Sequence, residues 1–115
     1  AGPGAGAGVG PGAGGGAGGG PYRPGSGIVP PSVLREVRPD YTEAARIEAV
    51  EGDVLLEVIV LADGSVGDVR VVRGLGFGLD ERAVRAMRRW RFHPAERRGV
   101  PVSVVVEVAM SFRLL

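Results

Sequence analysis

Cysteine is absent from all 115 residues, and so is lysine. Without cysteine there is no disulfide, no thiolate metal site and no cysteine nucleophile. The 14 basic residues are all arginine and face 13 acids, for a formal net charge of +1. That near balance excludes a chain whose whole surface binds nucleic acid, although not a local patch that does. Codon bias in a GC-rich genome accounts for the missing lysine. Aromatic residues are scarce at 5%, with one tryptophan, and there is one histidine. No apolar run is long enough to span a bilayer, and neither a signal peptide nor an initiating methionine opens the chain. The protein is therefore expected to continue upstream of Ala1.

Glycine is abundant and unevenly placed. Residues 1–20 contain 12 glycines and no charge. Such a stretch buries too little side chain to offset the entropy of ordering it. It is predicted to be a disordered tether, and a Gly-rich coil of this length spans roughly 25 Å. Proline and glycine continue to Pro31, so residues 1–31 are expected to form a flexible linker and residues 32–115 a single domain.

Within that domain Ser32–Val37 reads as a short strand ended by Pro39. Asp40 with Glu43 three residues on makes a capping-box pattern. The predicted helix runs to about Val50, with Gly52 just beyond as its αL terminator. Asp53–Leu61 is apolar on both faces, as a central strand is. Asp63-Gly64 marks a hairpin, and Val66–Arg73 returns as the partner strand. Gly74–Gly78, reading GLGFG, is a loop. It completes no phosphate-binding pattern, because no lysine follows it.

The stretch AMRRWRFHPA (Ala86–Ala95) holds three arginines, the tryptophan, a phenylalanine and the histidine. Helical periodicity over Leu79–Arg89 places Leu79, Ala83 and Ala86 or Met87 on one apolar stripe that Trp90 extends. Asp80 and Glu81 stand in the first turn and Arg85, Arg88 and Arg89 in the last, the order the helix dipole favours. Beyond it, Trp90, Phe92 and Pro94 are predicted core residues, while Arg91 and His93 point outward.

The chain closes on PVSVVVEVAMSFRLL. Val102, Val104, Val106, Val108, Met110, Phe112 and Leu114 form one apolar face, opposite a mostly polar one. A single strand from Val102 to Leu114 would extend roughly 40 Å. Its shorter partner, Asp53–Leu61, predicts that part of it overhangs or forms an edge.

Four segments taken together resemble the C-terminal domain of TonB energy transducers: RPDYTEAAR, EGDVLLEVIVLADGSVGDVRVV, LDERAVRAMRRWRFHPA and GVPVSVVVEVAMSFRL. They cover about Ser32–Leu115. The sequence departs from the family pattern at Thr42, where many members have proline, and in its Gly/Ala-rich spacer. The resemblance implies an α+β fold: a small antiparallel sheet with two helices packed on one face, in the order β-α-β-β-α-β. It also implies a periplasmic domain tethered to the inner membrane by an upstream segment in complex with ExbB/ExbD-like proteins. Such a domain binds the TonB box of outer-membrane transporters by strand addition, driving uptake of siderophores, cobalamin or other large nutrients.

The edge residues so implicated are Val102, Ser103, Val104, Val105, Val106, Glu107, Val108 and Ala109. Arg38, Pro39 and Asp40 are further partner-binding candidates, and a homodimer is carried as an expectation. Two alternatives stand beside this reading. One is a TolA-like envelope adaptor with a different protein partner. The other is an Arg-rich nucleic-acid module built on the seven arginines between Arg82 and Arg98. No catalytic, metal-binding or cofactor-binding set emerges, since His93 stands alone and the carboxylates sit in turns and caps.

Overall fold

A computed structural model describes residues 21–23, 25 and 27–115. The predicted tether, Ala1–Gly20, lies outside the described residues. The elements in chain order are β1 (Ile28–Val29), β2 (Ser32–Arg35), α1 (Glu43–Ile47), β3 (Gly52–Val60) and β4 (Val66–Arg73). They continue with α2 (Leu79–Met87), β5 (Arg91–His93), β6 (Ala95–Arg97), β7 (Val100–Val102) and β8 (Val104–Phe112). The core of the fold is the three-stranded antiparallel sheet β4-β3-β8. Two small sheets flank it, β1-β6-β7 and β2-β5.

Strand β3 is central because both its edges are paired. Val54, Leu56, Val58 and Val60 on one face are fully buried. That face meets the apolar stripe of α2, where Leu79, Ala83 and Met87 are also fully buried, and Ala45 of α1. On the opposite face Asp53 is exposed, Glu57 is half-buried and Ile59 is buried in a small separate cluster with Val105, so the main core lies on one side of the sheet.

Helix α1 is shorter than its pattern predicts, and its cap lies elsewhere. Thr42, not Asp40, is the N-cap, accepting a hydrogen bond from Ala45 N. The Thr42 hydroxyl also donates to the carbonyl of Phe77 at 2.6 Å, fastening α1 to the Gly74–Gly78 loop. The departure from the family pattern at this position thus supplies a cap that proline would lack. At the other end Ala49, not Gly52, takes the left-handed conformation, with φ 54°.

The 61–65 connection is a hairpin whose tip is a strut. Asp63 accepts from both the amide and the hydroxyl of Ser65. Those hydrogen bonds, the hydroxyl one foremost, hold its carboxyl below the ordinary carboxylate range. Gly64 (φ 89°) presents its carbonyl to Phe92 N at 2.8 Å, docking the hairpin onto β5. A Cβ at Gly64 would lie 2.1 Å from the Phe92 carbonyl oxygen, so no side chain fits there.

Trp90 and Phe92 are buried with ring centroids 6.0 Å apart. The Trp90 indole donates to the Val37 carbonyl at 2.9 Å, tying the end of α2 to the segment after β2. Pro94 is half-buried. Tyr41 stacks edge-on against Phe112 at 5.5 Å and donates its hydroxyl to Val50 O, closing α1 over the far end of β8.

The single strand predicted from Val102 to Leu114 is two strands. Val102 of β7 pairs with Ala95, and Val104 of β8 pairs with Val60. The chain changes sheets at Ser103. The cause lies just upstream, where Arg98 and Gly99 both have positive φ (54° and 79°) and fold β6 onto β7 through a two-residue turn. The predicted overhang is absent, because β3 and β8 pair over their whole nine-residue lengths.

Removing the buried indole is expected to be far costlier than removing a neighbouring arginine. Trp90→Ala should destabilise by about 3–5 kcal/mol, and Arg89→Ala by less than about 0.5. Gly64→Ala should cost at least about 2 kcal/mol, through positive φ and the clash with Phe92. Chemical denaturation of the three variants checks the order.

Candidate functional site

The feature with chemical consequence is the outer edge of β8. In the β4-β3-β8 sheet β8 has a paired side, toward β3, and an open one. Its register with β3 runs without a bulge from Gly52↔Phe112 to Val60↔Val104. Along an unbroken antiparallel strand, the main-chain groups of successive residues point alternately to the two sides.

The parity is set by a contact at one end. Val105 N donates to Tyr22 O, and Tyr22 N donates to Ser103 O, both at 2.9 Å, forming a parallel bridge opposite Val104. Odd-numbered residues therefore direct their N–H and C=O groups away from β3. Beyond Val105, those of Glu107, Ala109 and Ser111 face the open edge, and no described strand pairs with them. Even-numbered residues bond inward to β3 and direct their side chains into the core. Val104, Met110 and Phe112 are buried there, and Val106 and Val108 are half-buried against it.

Side chains along the open edge are small or polar. Glu107, Ala109 and Ser111 are exposed. Ser111 donates to Asp53 at 3.0 Å, and Arg113 reaches the same carboxylate at 3.3 Å. Leu114 N donates to Glu51. These contacts pin the end of β8, and none of them was anticipated from the sequence.

Of the sequence-predicted edge residues, Val104–Ala109 lie in β8, Ser103 at the sheet change and Val102 in β7. Arg38 and Asp40 are exposed and Pro39 half-buried, in the segment between β2 and α1. Among the described residues no hydrogen bond joins these three to β8. The sequence reading missed Tyr22, whose only signal was an isolated aromatic in a Gly/Pro stretch.

The other chemistry-bearing residues form no site. His93 is exposed on β5, opposite Ser32. Among the described residues no group of three or more His, Cys, Asp or Glu side chains could hold a metal ion. In the GLGFG loop the Asp80 carboxylate accepts from Leu75 N at 2.8 Å and Gly76 N at 3.4 Å, filling the place an anion would take. Trp90 and Phe92 are 7% and 6% exposed as whole residues, so neither offers a face on which a base could stack. Arg91 bonds the carbonyls of Arg88 and Trp90 at the end of α2, where positive charge suits the helix dipole.

The domain is thus a small α+β fold with an open edge on β8 and with Trp90, Phe92 and Phe112 buried in its core. Residues 37–114 match the family described as Gram-negative bacterial TonB protein C-terminal, and the chain belongs to it. It is 39% identical over 82 residues to Protein tonB2 of Pseudomonas aeruginosa, covering 70% of this chain and 30% of that protein. It is 31% identical over 86 residues to Protein TonB of Vibrio cholerae, covering 74% of this chain and 35% of that one. The chain thus spans about a third of the length of these relatives.

The solution structure of the Pseudomonas aeruginosa TonB C-terminal domain superposes with TM-score 0.50 at 26% identity, covering 80% of this chain and 93% of that one. The α+β fold expected from the sequence is the fold of this family. TonB proteins are energy transducers rather than catalysts, so the chain is not an enzyme.

Amide exchange along β8 should follow the parity. The N–H groups of Val106, Val108 and Met110 are expected to be protected, and those of Glu107, Ala109 and Ser111 to exchange much faster. Residue-resolved hydrogen–deuterium exchange by NMR checks this; uniform protection would show that the edge is covered along its length.

Proposed function

We propose that this domain is the periplasmic end of a TonB-like transducer and that it binds the TonB box of outer-membrane transporters by adding it as a strand to the edge of β8. An upstream segment outside this chain tethers it to the inner membrane. There, ExbB/ExbD-like proteins couple the proton gradient to uptake of large nutrients such as siderophores or cobalamin. The observation that carries the reading is the row of outward main-chain groups on Glu107, Ala109 and Ser111. An unpaired edge is a template for another strand, and recognition of this kind takes its affinity from main-chain hydrogen bonds.

The exposed side chains on that row suit the role. They are small or polar, so an incoming backbone meets no bulky apolar barrier, and nothing in them demands a particular sequence. At about 3.4 Å per residue, the run from Glu107 to Ser111 offers roughly 14 Å of edge, enough for a short extended peptide. Arg38, Pro39 and Asp40 are retained as a second contact for residues of the partner flanking the added strand. A TolA-like adaptor with another protein partner would use the same edge, and the family membership favours the transporter peptide.

Proline substitution separates the two sides of the strand, because proline removes one N–H. Val106→Pro removes an inward donor and should destabilise the fold by at least about 3 kcal/mol. Ala109→Pro removes an outward one. It should stay within about 1 kcal/mol of the parent, as edge positions tolerate proline. Its affinity for a synthetic TonB-box peptide should nonetheless fall about tenfold. Thermal unfolding with calorimetric titration measures both. Wild-type affinity in a folded Ala109→Pro variant would remove β8 as the binding edge. Affinity should also change little with salt, whereas phosphate contacts would make it fall steeply.

A further inference from the structure

We propose that Tyr22 and Arg23 form a strap in cis, which occupies the Ser103–Val105 end of the β8 edge and which a partner strand reaching that end must displace. The inference rests on the strand-addition reading above and adds to it a competitor carried by the chain itself.

Three contacts build the strap. Tyr22 makes both hydrogen bonds of a parallel bridge, from its N–H to Ser103 O and from Val105 N–H to its carbonyl, each 2.9 Å. These are the same outward groups that would receive an added strand. The Arg97 guanidinium lies over the Tyr22 ring, 5.4 Å from its centroid, a cation–π arrangement reaching from β6. Arg23 reaches the Glu57 carboxylate at 3.5 Å.

The last contact answers a problem of the sheet. Glu57 and Glu107 stand directly opposite each other on β3 and β8, and like charges so placed destabilise a sheet. The Glu57 side chain is only 13% exposed, and Arg70 holds its other oxygen at 3.1 Å. Arg23 adds a second cation to that carboxylate from the strap. Ile59 and Val105 form a small buried pair separate from the main core, at the end of the sheet where Tyr22 crosses. The strap therefore has main-chain, aromatic and ionic anchors, and all three sit where the edge begins.

The energetic consequence is competition. When only a fraction of molecules has a free site, apparent affinity falls by that fraction. A strap closed in about nine molecules of ten would weaken binding about tenfold for any strand that covers Ser103–Val105. A strand confined to Glu107–Ser111 would bind beside the strap without competing.

Tyr22→Pro tests this, since it deletes the donor to Ser103 O from a residue outside the main core. Arg97→Ala is the second variant, loosening the same ring from the domain side. Two measurements are made on the 115-residue chain: amide exchange at Val105 with Glu107 as the open-edge reference, and titration with a synthetic TonB-box peptide long enough to span Ser103–Ser111. The expected result is a protected Val105 amide in the parent and faster exchange in both variants. Peptide affinity should rise about tenfold in Tyr22→Pro and less in Arg97→Ala. A Val105 amide as fast as that of Glu107 in the parent would overturn the strap. Faster Val105 exchange with unchanged peptide affinity would overturn the competition and leave the peptide reading standing. Absence of binding in every form would overturn the peptide reading itself, and the competition with it, whatever the exchange rates.

Discussion

The unbroken pairing of β3 with β8 is the constraint on which the rest of the domain depends. Nine consecutive residue pairs without a bulge fix which groups of β8 turn inward. The side chains of Val104, Met110 and Phe112 then complete the core beneath the helices, and the odd-numbered main-chain groups are left at the edge. The packed core and the open edge are thus two consequences of one register. A slip of one residue would expose the apolar row and bury Glu107 and Ser111, so the core itself guards the geometry of the edge.

The surrounding elements hold that register in place. Tyr41 packs on Phe112 and bonds Val50, locking α1 against the end of β8. Trp90 ties the end of α2 to Val37, and Gly64 props the β3–β4 hairpin on Phe92. None of these contacts uses the outward groups of Glu107, Ala109 or Ser111. The exception is Tyr22, which reaches the edge from the segment before β1 and takes two of its hydrogen bonds. Scarcity of aromatic residues makes the division of labour plain. The tryptophan and Phe92 are buried, Phe112 is sealed by Tyr41, Phe77 is exposed in the Gly74–Gly78 loop, and Tyr22 alone is placed at the open edge of β8.

Alternation carried most of what the sequence could tell. The period-2 rows of β3 and β8, the strand Val66–Arg73 and the α2 stripe ending at Trp90 were readable because burial on one face leaves a direct imprint on residue choice. The crowding of arginines around Trp90 was likewise readable as a helix end. What was not readable depends on contacts distant in sequence. Thr42 caps α1 where Asp40 had the motif. Ser103 divides the last apolar row because a turn at Arg98-Gly99 pairs Val102 with Ala95, and the turn lacks the usual Asn-Gly or Asp-Gly signature. The parity of the outward groups cannot be deduced from alternation of side chains alone. It took the Tyr22 bridge to show it. The proposed partner rests on the family resemblance, not on any residue chemistry of the edge.

In the proposed complex a transporter peptide becomes a fourth strand against the outward groups of β8. The most direct measurement is NMR detection of scalar couplings across hydrogen bonds in the complex of the isotope-labelled domain with a labelled TonB-box peptide. Couplings from the Glu107, Ala109 and Ser111 amides to peptide carbonyls are expected. A bound peptide showing none of these couplings, with its contacts confined to Arg38–Asp40 or the helices, would contradict it.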